Sequence, residues 1–305
     1  MPAIESPTLE QPAIETVAIV GAGWTGRQIA GQMLTHGIQV ILTDPSPPSL
    51  DTSKSWILGN LSSFADQGYW PSVSADTVES RLTLLSLDRF LSNDHASETA
   101  RSTVDFVLES VPEQAALKRR LLKNLSEVFS ADTILASNSS YFVPSTFSKH
   151  LRFPERYAHF HFHVPIWKAT VVDVAAAPET NPSTLERLRD LALRIGQTPI
   201  VQRVESSGYL FNAMLKSVLQ SALQLVHRGV GDPASVDLAW KKATGMPVGP
   251  FGIMDQIGLD ILLQTMSNAR FVDGDDAWLP LIALVEPLVQ QGRLGVKSGE
   301  GFFKY

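Results

Sequence analysis

Short apolar runs alternate with amphipathic stretches over the first two thirds of the chain. The apolar runs are TVAIV from Thr16, IQVILTD, DFVLES at 105–110, TILAS at 133–137, YAHFHFHV at 157–164, TVVDVAAA at 170–177 and TPIVQRV at 198–204. A helical run follows the first of these over residues 25–37, and apolar residues at 117, 121, 125 and 128 recur at helical spacing. Strands separated by helices predict βαβ units and a mostly parallel sheet that is covered on both faces.

A different pattern begins after about Val204, where helical periodicity replaces the strand runs. One long amphipathic helix is predicted by apolar residues that recur at steps of four and three: Phe211, Leu215, Val218, Ala222 and Leu225. Shorter helical patterns follow from Pro233 to the end. We therefore expect a loose tail over residues 1–14, a Rossmann-type doubly wound α/β domain over 15–204 and an all-helical domain over 205–305.

The composition and charge indicate a soluble protein with a small-molecule partner. The 305 residues carry a net charge of −6, with 44% hydrophobic residues and no cysteine, which excludes disulfides and Cys-ligated zinc. No cluster of Lys and Arg offers the positive surface that nucleic acids or anionic membranes require, and no apolar run reaches membrane-spanning length. The first fifteen residues contain no Lys or Arg, unlike a secretory or transit peptide, so we expect a cytoplasmic location.

The segment AIVGAGWTGRQIA has the glycine spacing of a dinucleotide-binding turn. Gly21, Gly23 and Gly26 follow an apolar strand and open a helix. Such glycines allow a tight turn, close approach of the backbone to a pyrophosphate and close helix packing. Asp44 ends the next strand, 18 residues after Gly26, where a carboxylate can accept a hydrogen bond from a free ribose 2′-hydroxyl. The pattern predicts NAD rather than NADP; the alternative is a set of turn glycines and a solvated strand end.

Three histidines alternate with two phenylalanines on one predicted strand. His159, His161 and His163 would all point to one face of it. They could ligate a metal, although neighbours two apart on a flat strand rarely converge on one ion, or they could be a structural row of polar side chains. We favour one catalytic histidine and no metal, because an NAD enzyme needs a group that changes protonation near neutral pH beside the substrate hydroxyl.

Six further segments carry a resemblance to a known family. They are ESVPEQAALK, LASNSS, HFHVP, GYLFN, GMPVGPFGIMDQIGLD and LGVKSGEGFFKY. Their order and spacing resemble the 3-hydroxyacyl-CoA dehydrogenase family, which also includes lambda-crystallin and L-gulonate dehydrogenase relatives, and the resemblance covers nearly all of residues 15–305. It implies a Rossmann domain, a helical domain that usually dimerises, and hydride transfer between NAD and a 3-hydroxy group.

The resemblance also implies roles for individual residues. Ser140 looks like the family's substrate-binding serine, with Asn138 beside it near the cofactor. His161, 21 residues after Ser140, looks like the general base, and Asn212 looks like the asparagine that helps to hold the substrate oxygen. Residues that resemble those on the nicotinamide side are Glu113, Lys118 and Lys297.

The chain departs from the family pattern around the histidine. The family's carboxylate partner is usually Glu, but the matching position, 12 residues after His161, is Asp173, which is one methylene shorter and can still orient the imidazole. The family also commonly has HFFNP where this chain has HFHVP. Val164 therefore replaces a cofactor-side asparagine, and His163 is an additional polar group.

Residues 51–101 differ in charge from the family's substrate arm, which is rich in basic residues. The segment holds four basic residues, Lys54, Arg81, Arg89 and Arg101, against seven acidic ones, Asp51, Asp66, Asp76, Glu79, Asp88, Asp94 and Glu98. It also carries Trp56, Phe64, Tyr69 and Trp70, either as core packing or as an apolar lid. Because the 3′-phosphate of CoA would find little compensation there, a free or differently carried 3-hydroxy compound is an open alternative.

These patterns predict an NAD-dependent oxidoreductase that acts on the CH–OH group of a 3-hydroxy or 3-oxo acyl-type compound. We expect a homodimer that forms through the helical domain, with no nucleic-acid or membrane partner. One alternative is a sugar-acid dehydrogenase of the L-gulonate kind, which the acidic segment favours. Another is a non-catalytic NAD(H)-binding protein, as the crystallin relatives suggest.

Overall fold

The computed structural model describes residues 13–273 and 278–305 of the chain. It divides into two compact units, one that ends at Tyr209 and one that runs from Leu210 to Tyr305. Residues 1–12 of the predicted tail lie outside the described residues. Ile14, the last residue of the predicted tail, is buried and its carbonyl oxygen accepts a hydrogen bond from Arg194, so it belongs to the first unit rather than to a loose tail.

The first unit contains one sheet, and its strand order is that of a doubly wound fold. The strands are β1 (Thr16–Val20), β2 (Gln39–Asp44), β3 (Leu82–Ser86), β4 (Phe106–Glu109), β5 (Ile134–Ser137), β6 (Tyr157–Phe162), β7 (Val171–Ala176) and β8 (Thr198–Val201). Their order is β3-β2-β1-β4-β5-β6-β7-β8, and all neighbours are parallel except β6 and β7. The predicted Rossmann-type sheet is confirmed, and its order reverses between β1 and β4, where such sheets bind ligands.

Helices connect these strands and make up most of the second unit. Those that begin in the first unit before its last residue are α1 (Trp24–Thr35), α2 (Pro47–Asp66), α3 (Ala75–Arg81), α4 (Leu87–Leu91), α5 (His95–Ser102), α6 (Ala115–Val128), α7 (Ser145–Ser148) and α8 (Pro182–Arg194). The remaining helices are α9 (Tyr209–His227), α10 (Pro233–Thr244), α11 (Pro250–Ile257), α12 (Leu259–Asp273) and α13 (Leu279–Gln290). The predicted succession of an α/β domain and a helical domain is confirmed.

Two hydrophobic clusters bury both faces of the sheet. Along β1, Val17 and Ile19 belong to one cluster, whereas Ala18 and Val20 belong to the other. Side chains alternate across a strand, so a strand with two buried faces has a continuous apolar sequence. The edge strand β3 is only partly buried, and its sequence LTLLS was not predicted as a strand.

The aromatic residues of segment 51–101 are part of the core. Phe64 and Trp70 are buried, and Trp56 and Tyr69 pack against the same cluster. The indole N–H of Trp70 donates to Oε1 of Gln32 on α1 at 2.8 Å. Of the two interpretations given to these aromatics, core packing is therefore the one observed for Phe64 and Trp70.

Only part of the apolar stripe that the sequence pattern predicted on α9 is buried. Ala222 of that stripe is buried together with Leu219 and Leu223, whereas Phe211 and Leu225 are exposed. The helix itself is long, as predicted. None of the helices in the described parts of the chain is long and apolar enough to cross a membrane.

Asp255 on α11 holds the C-terminal segment in place. Its carboxylate accepts the backbone N–H groups of Phe302 and Phe303, each at 2.9 Å, and the hydroxyl of Tyr305 at 3.1 Å. A Cβ at position 301 would overlap this carboxylate, so Gly301 is required by the close approach. These hydrogen bonds join two of the segments that carry the family resemblance, GMPVGPFGIMDQIGLD and LGVKSGEGFFKY.

Candidate active site

The glycine-rich turn between β1 and α1 leaves an open position between two crowded ones. Gly21 has a φ of +116°, and a Cβ there would lie 2.5 Å from the carbonyl oxygen of Ser110. A Cβ on Gly26 would overlap the carbonyl oxygen of Gly21. At Gly23 a Cβ would meet no atom within 4 Å. Close packing within the protein explains why positions 21 and 26 are glycine. At Gly23, by contrast, the absence of a side chain leaves the backbone accessible to a ligand.

The residues around this turn fit a dinucleotide. Gly23 precedes the N-terminus of α1, where free backbone N–H groups and the helix dipole favour an anion such as a pyrophosphate. Asp44 lies beside the turn, because its Oδ2 accepts the N–H of Ala22 and its Oδ1 accepts the N–H of Ser46, both at 2.8 Å. A carboxylate at this place would repel the 2′-phosphate of NADP, which agrees with the predicted preference for NAD.

A buried lysine joins two carboxylates at the end of β4. Lys118 places its ammonium 2.8 Å from Oε1 of Glu109, 3.3 Å from Oε2 of Glu113 and 3.1 Å from the carbonyl oxygen of Val111. These three acceptors match the three N–H donors of an ammonium group. Any contribution of Lys118 to cofactor binding therefore acts through the carboxylates that it holds.

These carboxylates also anchor the loop that carries Ser140. The hydroxyl of Ser137 donates to Oε2 of Glu109 at 2.6 Å, and the hydroxyl of Ser139 donates to Oε1 of Glu113 at 2.5 Å. The same Glu113 oxygen accepts the N–H of Tyr141 at 3.0 Å. Glu109 was not singled out in the sequence, because a polar strand end carries no local signal of a partner nine residues away.

Ser140, His161 and Asp173 lie in one hydrogen-bonded row. The Nε2 of His161 is 3.0 Å from Oγ of Ser140, and its Nδ1 is 3.1 Å from Oδ2 of Asp173. His161 and Asp173 are direct partners in the antiparallel register of β6 and β7. His161 is 3% exposed and Asp173 1%, whereas Ser140 is exposed. The structure thus brings three of the four predicted catalytic residues together.

The charges of this row suit a neutral base. Burial lowers the pKa of His161, and the hydrogen bond to Asp173 acts in the opposite direction. Burial raises the pKa of Asp173, but hydrogen bonds from His161 and His163 outweigh it, so this pKa lies below its usual value. At neutral pH the row therefore holds an imidazole beside a carboxylate. With Nδ1–H donating to Asp173, Nε2 is left as the acceptor that faces Ser140.

His163 shares the carboxylate of Asp173 with His161. Its Nε2 lies 2.8 Å from the same Oδ2, and its side chain is 12% exposed against 4% for His161. The sequence did not reveal this role, because a second histidine on the strand had no assigned partner. Ligand atoms of these three residues lie within 4.8 Å of one another, so they could also hold a metal ion. The expectation that the site has no metal stays a prediction.

Tyr209, which sequence reasoning missed, supports the catalytic row from one side. Its ring stacks on His161 with centroids 4.7 Å apart and planes 12° apart, and its hydroxyl donates to the carbonyl oxygen of Ser139 at 2.6 Å. Its φ of +55° is unusual for a residue with a side chain.

His159 is fully buried between the hydroxyls of Tyr157 and Tyr209, at 3.0 Å from each, and burial lowers its pKa well below the usual value. His159 is therefore a structural residue.

The other predicted site residues lie in different surroundings. Asn138 accepts the N–H of Phe162 through its Oδ1 at 2.8 Å, which ties the end of β5 to β6. Asn212 lies in the first turn of α9, in the second unit. Lys297, also in the second unit, pairs with Asp260 at 2.5 Å. The roles given to Asn212 and Lys297 stay predictions.

A dinucleotide turn and a buried imidazole at the carboxyl edge of one doubly wound sheet define a dinucleotide-dependent dehydrogenase. The chain belongs to the 3-hydroxyacyl-CoA dehydrogenase family. The NAD binding domain of that family matches residues 16–205, and its C-terminal domain matches residues 208–305. The protein is therefore an NAD-dependent enzyme that acts on a CH–OH group, as the motifs predicted.

Known relatives cover nearly the whole chain but differ in what they are named for. The mitochondrial hydroxyacyl-coenzyme A dehydrogenase of Rattus norvegicus is 30% identical over 294 residues, which cover 96% of this chain and 91% of the relative. The 5-formyl-3-hydroxy-2-methylpyridine 4-carboxylate 5-dehydrogenase of Mesorhizobium japonicum is 30% identical over 298 residues, with the same coverage. A solved diketoreductase structure superposes with a TM-score of 0.84 at 28% identity, covering 97% of this chain and 100% of that one. The family thus fixes the chemistry and leaves the substrate open.

Gly23→Ala and Gly26→Ala are expected to fail in different ways. Gly26→Ala should lower the Tm strongly, because its Cβ would overlap the carbonyl oxygen of Gly21. Gly23→Ala should keep the wild-type Tm and weaken NADH binding by about tenfold or more, ~1.4 kcal/mol, because its methyl group takes the space open to the pyrophosphate. Thermal unfolding and NADH fluorescence titration measure the two effects. Unchanged NADH affinity in Gly23→Ala would contradict the assignment of this turn.

Proposed function

We propose that this enzyme interconverts the 3-hydroxy and 3-oxo groups of an acyl-type compound, with His161 as the general base. One observation carries the proposal: Nε2 of His161 faces the exposed hydroxyl of Ser140 at 3.0 Å, while Nδ1 is backed by the buried carboxylate of Asp173. The names of the rat hydroxyacyl-coenzyme A dehydrogenase and of the diketoreductase, which is described for dicarbonyl compounds, support this substrate class.

NAD, when bound, accepts the hydride in the direction of alcohol oxidation. The Nε2 of His161 takes the proton of the substrate hydroxyl, and in ketone reduction the same atom returns it. Asp173 stays ionised, fixes the Nδ1–H tautomer and stabilises the imidazolium that forms. Ser140 holds the substrate oxygen in this proposal, so that the hydroxyl proton points at Nε2.

Replacement of His161 tests the proposed base. His161→Gln should lower kcat by roughly 10²- to 10⁴-fold and leave NADH affinity nearly intact, because a general base contributes about this much to a rate. Asp173→Asn should lower kcat as well, since it keeps the shape and removes the charge. His159→Gln is the matched control, a histidine on the same strand that bonds only tyrosine hydroxyls among the described contacts, and it should lose much less activity.

An unchanged rate in His161→Gln would remove this residue from the mechanism. Restoration of its activity by added Zn²⁺ would instead favour the metal interpretation of His161, His163 and Asp173.

The pH profile gives a second readout of the proposed base. Because burial places the pKa of His161 below its usual value, kcat/KM for oxidation should stay level from neutral pH into mildly acidic pH and fall only when this imidazole becomes protonated. In Asp173→Asn the fall should move to lower pH, since the contact that raises this pKa is lost.

We propose further that the substrate does not depend on the phosphates of CoA. Three of the four basic side chains in segment 51–101 are already engaged. Lys54 pairs with Glu79 at 2.6 Å, the guanidinium of Arg81 reaches the carbonyl oxygen of Leu34 at 3.4 Å, and Arg101 is buried. The guanidinium of Arg101 donates to the carbonyl oxygens at 90 and 92. Phosphate groups of CoA would thus meet a segment whose net charge is negative.

A matched pair of thioesters tests this point. The 3-hydroxybutyryl ester of pantetheine and that of full CoA should have similar kcat/KM, because binding energy that is never realised cannot lower the barrier. The same NADH assay with a keto-sugar acid tests the sugar-acid alternative. An advantage of a hundredfold or more for the CoA ester would contradict the proposal and indicate ordinary recognition of CoA.

We also propose that the enzyme is a homodimer formed through its second unit. The helical unit exposes large apolar side chains, among them Leu210, Met214, Leu238 and Ile261, each at least half exposed. Exposed apolar surface of this kind is typical of protein interfaces. Light scattering should find a dimer, and Met214→Lys should weaken it, whereas Ser62→Lys, at an exposed position on α2 of the first unit, should not. A monomer at all concentrations would contradict the proposal.

The cytoplasmic location stays a prediction that cell fractionation can test.

A further inference from the structure

Arg27 on α1 is a cation whose charge no neighbouring carboxylate balances. Among the residues that the structure describes, no acidic side chain lies within ion-pair distance of it, and its Nε is buried without a hydrogen-bond partner. Burial lowers the pKa of its guanidinium. A partly dehydrated charge without a partner costs free energy, and a bound anion would offset this cost.

Two indoles hold this guanidinium in position. Its Cζ lies 4.6 Å from the ring centroid of Trp24 and 5.3 Å from that of Trp56. The two indoles meet edge to face at 5.7 Å, and Trp167 contacts both of them. Cation–π contacts fix the plane of the guanidinium, so less conformational entropy is lost when it binds a ligand. Trp24 is 49% exposed, so part of its indole is open to a ligand beside the charge.

The cluster formed by Arg27, Trp24, Trp56 and Trp167 is linked to the dinucleotide turn and to the segment that follows the His161 strand. Trp24 directly follows Gly23 in the dinucleotide turn, and Trp167 follows the strand that carries His161. Gln28 ties the two segments together, because its Oε1 accepts the N–H of Ile166 at 3.0 Å and its Nε2 donates to the carbonyl oxygen of Trp24 at 3.1 Å. Gln28 is fully buried, so this connection is part of the core.

We propose that Arg27 and Trp24 form a substrate subsite for a carboxylate at the far end of the 3-hydroxy or 3-oxo compound. Arg27 pairs with the carboxylate through its planar N–H groups, and the carbon chain before the carboxylate packs on Trp24. A monoanion fits a single guanidinium, whereas a phosphate would also face the acidic residues of segment 51–101. This subsite rests on the proposed function and names its substrate class: an acyl-type compound with a second acid group.

A diacid and its half-ester provide the test. NADH-dependent reduction of 3-oxoadipate and of its 6-methyl ester is compared in the wild type, Arg27→Gln, Arg27→Lys and Arg119→Gln. Arg119 lies exposed on α6 and controls for the loss of one positive charge. We expect the wild type to prefer the diacid, and Arg27→Gln to lose about 10- to 100-fold in kcat/KM for the diacid alone, as removal of a charged hydrogen bond predicts. Arg27→Lys should retain part of the preference, and Arg119→Gln all of it.

Three outcomes would overturn the subsite. One is equal kcat/KM for the diacid and the ester in the wild type, and another is reduction of neither compound by an enzyme that still turns over the 3-hydroxybutyryl thioesters. The third is a weaker NADH affinity in Arg27→Gln with an unchanged substrate preference, which would assign the anion to the pyrophosphate of the cofactor. None of these results depends on the general base. If instead His161→Gln kept full activity, the proposed function would fail whatever the behaviour of Arg27.

Discussion

The ionised carboxylate of Asp173 is the constraint on which the catalytic site depends. It is 1% exposed, and a buried charge is tolerated only where hydrogen-bond donors surround it. Its Oδ2 has two such donors, the imidazoles of His161 and His163. In return, the carboxylate fixes the tautomer of His161 and turns its Nε2 toward Ser140. The two imidazole donors thus compensate the charge of this short side chain.

The antiparallel pairing of β6 and β7 makes this arrangement possible. Direct partners in such a register project to the same face, and His161 is the direct partner of Asp173. A slip of one residue would move Asp173 to the opposite face. Its sequence neighbours there, Val172 and Val174, pack in a hydrophobic cluster that offers no donors to a carboxylate. The reversal of strand direction at β7, against an otherwise parallel sheet, therefore sets the geometry of the proposed base.

Local constraints could be predicted from the sequence, and contacts between distant residues could not. Buried strands such as β4 and β5 are continuous apolar runs, and the glycine turn has its own spacing, so both were predicted. The edge strand β3 has half-buried residues and no such signal. The stacking of Tyr209 on His161 joins residues 48 apart, and its positive φ has no sequence signature in a residue other than glycine or asparagine. The direction of β7 depends on a connection that the apolar pattern does not describe.

The packing of α2 explains why few basic side chains are left to bind an anionic ligand near α1. Its aromatic side chains are used to pack against α1, so the face that meets α1 is apolar. Lys54 is paired on the surface, whereas Arg27 stays unbalanced beside the indoles among the described residues. One cation near a net-acidic segment discriminates by repulsion as well as by attraction. A phosphate group would meet the acidic side chains of that segment, and a neutral group would leave the guanidinium without a counter-charge. Of these three groups, a single carboxylate is the one that fits the proposed subsite.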